Sequence, residues 1–173
     1  MWLNPELKAN LLLSLTYYID MGRVDKSIIP YLHIINGIDV GVQTIQSCSG
    51  HYQGLDGKYS KDGKGYVLFA VNEDFAKRLF ANFQFWENIY FFKNVWFYSN
   101  YPQAYVIGFV NSEMQMESVK VACVRFEFWS SQYKEAMEKI ISILGNIKKQ
   151  IEDEIYTKYN MDFYNSQKSV VNK

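Results

Sequence analysis

The sequence predicts an α+β domain in which helices cover a mostly antiparallel mixed sheet of about five strands. Apolar residues recur at helical spacing near both ends of the chain, whereas short apolar runs separated by turn residues fill the middle. The chain has 173 residues, of which 49% are hydrophobic and 17% aromatic, and this is enough to build a core. We therefore expect a single domain over residues 1–160 and a polar, frayed tail over residues 161–173.

The helices are predicted from capping residues and apolar spacing. The first begins after Asn4, a good N-cap, and ends at Gly22. Asp25 is the predicted N-cap of the second helix, and Asn72 is that of the third. The last helix is long, begins after Ser130 or the serine that follows it, and has an apolar residue at nearly every third or fourth position.

The strands are predicted from short runs rich in β-branched and aromatic residues. Tyr66–Val71 is an unbroken apolar run and is therefore the predicted central strand. Residues 48–65 contain five glycines and fit no regular element, which is typical of a functional or mobile loop. The other predicted strands are residues 40–46, 95–98, 104–110 and 118–128, of which the last three form an antiparallel meander.

The charge balance and the cysteine content limit the classes of partner and compartment. Lys and Arg together number 18 and so do Asp and Glu, so no net charge draws the chain toward DNA or an anionic membrane. No stretch is apolar for the length of a membrane span, and the first residues lack a secretory signal pattern. We therefore expect a cytoplasmic protein with reduced thiols and with neither a membrane nor a DNA partner.

The candidate site lies where the first predicted strand ends. Ser47, Cys48, Ser49, Gly50 and His51 follow one another there, and the chain contains only 2 Cys and 2 His. A thiol, two hydroxyls, an imidazole and a permissive glycine beside a long loop are typical of a functional site. The simpler explanations are that Gly50 supplies a turn and that Cys48 is a small buried apolar residue.

Two further chemistries use the same residue types. Cys48 with His51 as its base would make a hydrolase, but the pair lacks a family-specific signature. A zinc site would need both of these residues together with His33 and Cys123, and none of the four has the spacing of a zinc motif. The sequence therefore predicts no metal site.

Three segments resemble the tRNA wybutosine-synthesis methyltransferase family, which is the third enzyme of that pathway and its archaeal relatives. Residues 22–30 resemble the family's Gly-x-Val-Asp-x-x-Ile-x-Pro motif, and Ile35-Asn36 resembles its Ile-Asn pair. Residues 44–51 resemble its Thr-x-Ser-Ser-Cys-Ser-Gly-Arg signature, with Gln46 in place of the first Ser and His51 in place of the Arg. The resemblance covers about residues 20–72.

The resemblance implies methyl transfer from S-adenosylmethionine to a modified guanosine in the tRNA for phenylalanine. It implies that residues 47–50 line the cofactor pocket through hydroxyls and backbone N–H groups, and that His51 or Asp25 accepts a proton. The alternative is a non-catalytic module of the same fold that binds a small ligand or a protein. The departures from the signature favour this alternative, and the balanced charge favours it over binding to tRNA.

Overall fold

The computed structural model describes residues 1–48, 63–81, 95–97 and 102–171, and these residues confirm the α+β class. Their helices are α1 (Pro5–Asp20), α2 (Ile29–Ile38), α3 (Glu73–Ala81) and α4 (Tyr133–Val171). Their strands are β1 (Val42–Cys48), β2 (Lys64–Val71), β3 (Val95–Phe97), β4 (Gln103–Val110) and β5 (Met116–Trp129). None of these helices combines the length and the apolar run that crossing a membrane requires.

All strand pairs of the described sheet are antiparallel. The order is β1-β2-β5-β3, and β4 also pairs with β5. β5 is 14 residues long, and it pairs with β2 and β3 through its second half and with β4 through its first half. β2 lies between β1 and β5, and its residues 67–71 are all buried. The prediction that the apolar run 66–71 is a central strand is therefore confirmed.

The two faces of the sheet carry separate cores. On the helix-rich face, α2, α3 and α4 enclose the larger core, in which Phe69 and Phe126 have no exposed surface. On the α1 face, Leu7 and Leu11 of α1 pack on a smaller core. Alternate residues of β2 and β5 belong to the two cores, as expected for strands that are covered on both sides.

The connection between α1 and α2 corrects one predicted boundary. Gly22 ends the first helical segment as predicted, with a φ of 65°. Asp25 does not cap α2, because its Oδ1 accepts hydrogen bonds from the N–H and the hydroxyl of Ser27 within a turn. α2 begins at Ile29 instead, since Pro30 fits the first turn of a helix, where its missing N–H costs nothing.

β1 and β2 extend beyond their predicted ends toward the segment that joins them. Cys48 belongs to β1 and pairs with Tyr66, and β2 begins at Lys64. Gly65, predicted to lie in a flexible loop, is a buried strand residue opposite Phe128. A Cβ atom at Gly65 would overlap the Phe128 ring, so a glycine is needed for this close packing.

α4 has two unlike halves. Its first half packs in the larger core through residues such as Met137 and Ile140, which have no exposed surface. From Glu152 to Asp162, by contrast, every residue is exposed. The helix continues through Val171, so the predicted polar tail at 161–173 is helical as far as that residue.

Candidate functional site

A cavity of about 380 Å³ lies between the second half of α1 and the sheet, and we call it the α1 cavity. Strands β1 and β4 form its sides, and the turn after α1 borders it. Its volume falls within the roughly 300–1,000 Å³ that small-molecule sites occupy. The lining contains apolar side chains, two tyrosine rings, several hydroxyl and amide groups and one guanidinium. The lining residues are Leu11, Ser14, Leu15, Tyr18, Arg23, Val24, Thr44, Ile45, Gln46, Ser47, Tyr66, Val106, Ile107 and Gly108.

The turn that ends α1 brings Arg23 to the α1 cavity. The N–H of Gly22 donates to the carbonyl of Ile19, and the N–H of Arg23 donates to that of Tyr18, each at 2.9 Å. These two bonds, with Gly22 in the left-handed region, form the Schellman ending of a helix. Because this ending reverses the chain tightly, Arg23 and Val24 line the same cavity as Tyr18.

Two residues of the family-like segments hold β1 against α2. The side-chain oxygen of Asn36 accepts hydrogen bonds from the backbone N–H of Thr44 at 2.7 Å and from its hydroxyl at 2.9 Å. Both residues are buried, so the bonds form away from competing water. Their effect is structural, since they fix the part of β1 that goes on to line the α1 cavity.

Lys8 fastens α1 to the same region. Its ammonium donates to the backbone carbonyls of Asn36, Asp39 and Val42 at 2.8, 2.5 and 2.8 Å. Two of these carbonyls lie at or just beyond the end of α2, where the helix dipole favours a positive charge. Burial lowers the pKa of Lys8, and the nearby Asp39 charge opposes this shift. The β1 wall of the cavity is thus tied to both α1 and α2.

A polar cluster formed by Cys48, Tyr66, Arg125 and Glu127 adjoins the α1 cavity. Cys48, Tyr66 and Glu127 are cross-strand partners, so their side chains share the α1 face of the sheet. The guanidinium of Arg125 lies 4.2 Å from the centroid of the Tyr66 ring, and its Nη2 lies 2.9 Å from a carboxylate oxygen of Glu127. These contacts hold the Tyr66 ring, which lines the cavity, in a fixed orientation.

The structure places two of the six predicted site residues at or beside the cavity. Ser47 lines it, and Cys48 lies next to it in the polar cluster, partly exposed. The carboxylate of Asp25 caps the turn before α2 and is not part of the cavity lining. The remaining three, Ser49, Gly50 and His51, lie outside the described residues.

Sequence reasoning missed several residues that line the cavity. α1 supplies Ser14 and Tyr18, the following turn supplies Arg23, and β4 supplies Val106. Ser14 alone leaves a signal, because it is a hydroxyl within the apolar stripe of α1; its oxygen accepts from the N–H of Val110 at 3.2 Å. The other residues meet only because the long-range pairing of β4 with β5 brings β4 beside α1.

His33 and Cys123, two of the residues that a zinc site would need, lie on opposite sides of the sheet. His33 is exposed on α2, which packs on the helix-rich face, whereas Cys123 is buried in the core of the α1 face. Burial also raises the pKa of the Cys123 thiol to about 12, which disfavours the thiolate that binds metals. No group of three His, Cys, Asp or Glu side chains in the described part of the chain is arranged to hold a metal ion.

The described lining of the cavity combines apolar walls with hydrogen-bonding groups. Within the described residues it contains no carboxylate, imidazole or thiol that would act as a general base. It does contain apolar walls with a few hydrogen-bonding groups, of which Ser14, Gln46 and Ser47 are examples. This combination is the usual composition of a small-molecule site.

Comparison of the sequence with protein-family models, with curated proteins and with solved structures gives no significant match. The family resemblance therefore depends on the short segments within residues 20–72. The geometry of the α1 cavity is the independent observation against which that resemblance can be judged.

Proposed function

We propose that the chain binds S-adenosylmethionine in the α1 cavity and is a methyltransferase-like protein of tRNA modification. One observation carries this proposal: two family-like segments, separated in the chain by α2, contribute adjoining parts of a single cavity. Arg23 and Val24 come from the first segment, and residues 44–47 come from the second. Segments that served only to end a helix and begin a strand would have no need to meet around the same cavity.

The composition of the cavity supports a ligand of this kind. Transfer of a methyl group from a sulfonium requires mainly that the donor and the acceptor be held in line. Apolar walls that carry Ser14, Gln46 and Ser47 supply such positioning through shape and hydrogen bonds. His51, the predicted proton acceptor, follows the end of β1, which is the strand that supplies Ser47 to the lining.

The second candidate is a non-catalytic module that binds its small ligand in the same cavity. The observation in its favour is that the described lining contains no general base. In addition, the carboxylate of Asp25 is engaged by Ser27 and does not line the cavity. The two candidates share the site and differ in whether a methyl group is transferred.

Calorimetric titration with S-adenosylmethionine tests the site. We expect saturable binding to the native chain and at least a tenfold loss of affinity in Gln46→Trp, because Gln46 lines the cavity opposite Leu68 of the α1-face core and the indole would obstruct it. Gln46 is exposed, so a larger side chain there should leave folding intact. Val40→Trp is the matched control, since Val40 is 66% exposed and does not line the cavity, and we expect it to bind as the native chain does.

Two results would contradict the proposal in different ways. If S-adenosylmethionine produces no saturable heat with the native chain, the cofactor assignment is wrong. If it binds equally well to Gln46→Trp, the site lies elsewhere. When binding is found, incubation with methyl-labelled S-adenosylmethionine and tRNA for phenylalanine separates the two candidates, because only the enzyme transfers label to the RNA.

A further inference from the structure

The charge of the α1 cavity comes from one residue. Arg23 is the only lining residue in the described part of the chain that is charged at neutral pH. A lining whose one charged group is a guanidinium favours a ligand that places an anionic group beside it. The lining therefore contains information about the class of ligand as well as about its size.

Arg23 differs from the other two arginines of the chain in its partners. Arg78 makes two bonds to Glu154, at 2.6 and 2.7 Å, and Arg125 pairs with Glu127 at 2.9 Å. Arg23 has no ion pair and no side-chain hydrogen bond with any described residue. Its planar fork of N–H donors is thus available for the paired oxygens of a carboxylate or phosphate, which it matches in geometry.

The position of Arg23 gives the orientation of such a ligand. Arg23 is an exposed part of the lining, whereas Leu11, Ser14 and Thr44 are buried parts of it, so Arg23 lies on the solvent side. The Schellman ending at Gly22 fixes the backbone from which the Arg23 side chain extends. An apolar or aromatic group would enter the cavity, and a charged group would stay at the opening beside the guanidinium.

We infer that the α1 cavity selects ligands that join an aromatic body to an oxyanion, either a carboxylate or a phosphate, and that Arg23 binds the oxyanion. The rings of Tyr18 and Tyr66 and the surrounding apolar walls receive the aromatic body. The inference relies on the proposed function for the location of the site. S-adenosylmethionine is a net cation because of its sulfonium and ammonium groups, so it meets the requirement only through the placement of its carboxylate beside Arg23 and of its adenine ring in the cavity.

The experiment compares three probes by calorimetry on the full chain: adenosine, adenosine monophosphate and S-adenosylmethionine. For the native protein we expect the monophosphate to bind at least tenfold more tightly than adenosine, because the two share the ring and differ in the oxyanion. In Arg23→Met we expect this preference to disappear and the affinity for S-adenosylmethionine to fall at least tenfold. Added salt should weaken monophosphate binding to the native chain and have little effect in the variant.

Lys26→Met is the matched control, because Lys26 carries the same charge in the same connection and does not line the cavity. It should bind all three probes as the native chain does. Equal binding of adenosine and its monophosphate, equal affinities in Arg23→Met and the native chain, or no binding of any probe would each overturn the inference. If S-adenosylmethionine binds equally well to Arg23→Met and to the native chain, the inference about Arg23 is wrong and the proposed function is not affected. If the monophosphate binds through Arg23 but S-adenosylmethionine does not bind, only the cofactor assignment is wrong.

Discussion

The two faces of the sheet are built from the same strands but use them differently. On the helix-rich face, side chains such as Phe69, Phe126 and Ile140 are completely buried among three helices. On the α1 face, one helix covers the described sheet. The space between its second half and the strands is not filled, and it forms the α1 cavity, which the polar cluster adjoins. The comparison indicates that the helix-rich face supplies most of the packing that stabilises the fold, whereas the α1 face is less closely packed where the candidate site lies.

The largest expected difference between the faces concerns core packing. Phe126→Ala should lower the free energy of unfolding by about 3–5 kcal/mol, because it opens a cavity in a closely packed core where its ring lies against that of Phe69. On the α1 face, Leu11→Ala should lower it by about 2 kcal/mol, because Leu11 packs on the smaller core and already borders the cavity. Urea denaturation measures both values, and equal losses would remove the distinction between the faces.

The next expected effect concerns the attachment of α1. Lys8→Met should lower the free energy of unfolding by about 2 kcal/mol, because three carbonyls lose a charged donor and are partly buried. Since burial lowers the pKa of Lys8, the unfolded chain holds this proton more tightly, and Lys8 contributes a gain in stability as the pH rises toward 10.5. The buried Cys123 thiol acts in the opposite direction above pH 9.0, because folding raises its pKa to about 12. Because the Cys123 contribution is common to both proteins, denaturation at several pH values should show that the native chain gains stability relative to Lys8→Met as the pH rises. Unchanged stability of the variant at neutral pH would show that α1 is held by apolar contacts alone.

The last prediction concerns the reaction rates of the two thiols of the α1 face, and it involves the smallest change to the stability of the fold. Cys48 is partly exposed beside the cavity, whereas Cys123 is buried and has a pKa raised to about 12. At pH 8 we expect Cys48 to react with a disulfide reagent at least tenfold faster than Cys123, because the thiolate is the reactive form. Stopped-flow absorbance would resolve the two phases, and Cys48→Ser should remove the fast one. A single rate for both thiols would mean that Cys48 is as protected as a core residue.

Most of the fold was predictable because its signals are local. Gly22 predicts the end of α1, because glycine adopts a positive φ readily, and the apolar run 66–71 predicts a strand that is buried on both faces. The start of α2 was predicted too early because Asp25 is a good N-cap candidate, whereas Pro30 lies in the first turn of the helix that forms. The proline prevailed because its ring restricts the backbone, whereas an aspartate can cap a turn equally well.

Less of the candidate site was predictable, because it depends on residues that are distant in sequence. Ser47 was found because it begins the cluster of small and reactive residues at the end of the first predicted strand. Arg23 and Val106 gave no such signal, since their place in the lining follows from the reversal after α1 and from the pairing of β4 with β5. A single sequence shows neither how closely a helix lies on a sheet nor where a gap remains between them.

The two unlike halves of α4 have a consequence for how this helix opens. The buried first half provides the nucleus, so each further turn adds hydrogen bonds without a new nucleation cost. From Glu152 to Asp162 the turns gain little from tertiary packing, apart from the bidentate tether between Arg78 and Glu154. Amide protons along this one helix should therefore exchange with solvent at steadily faster rates toward its C-terminal end, giving a gradient of local opening within a single unbroken element.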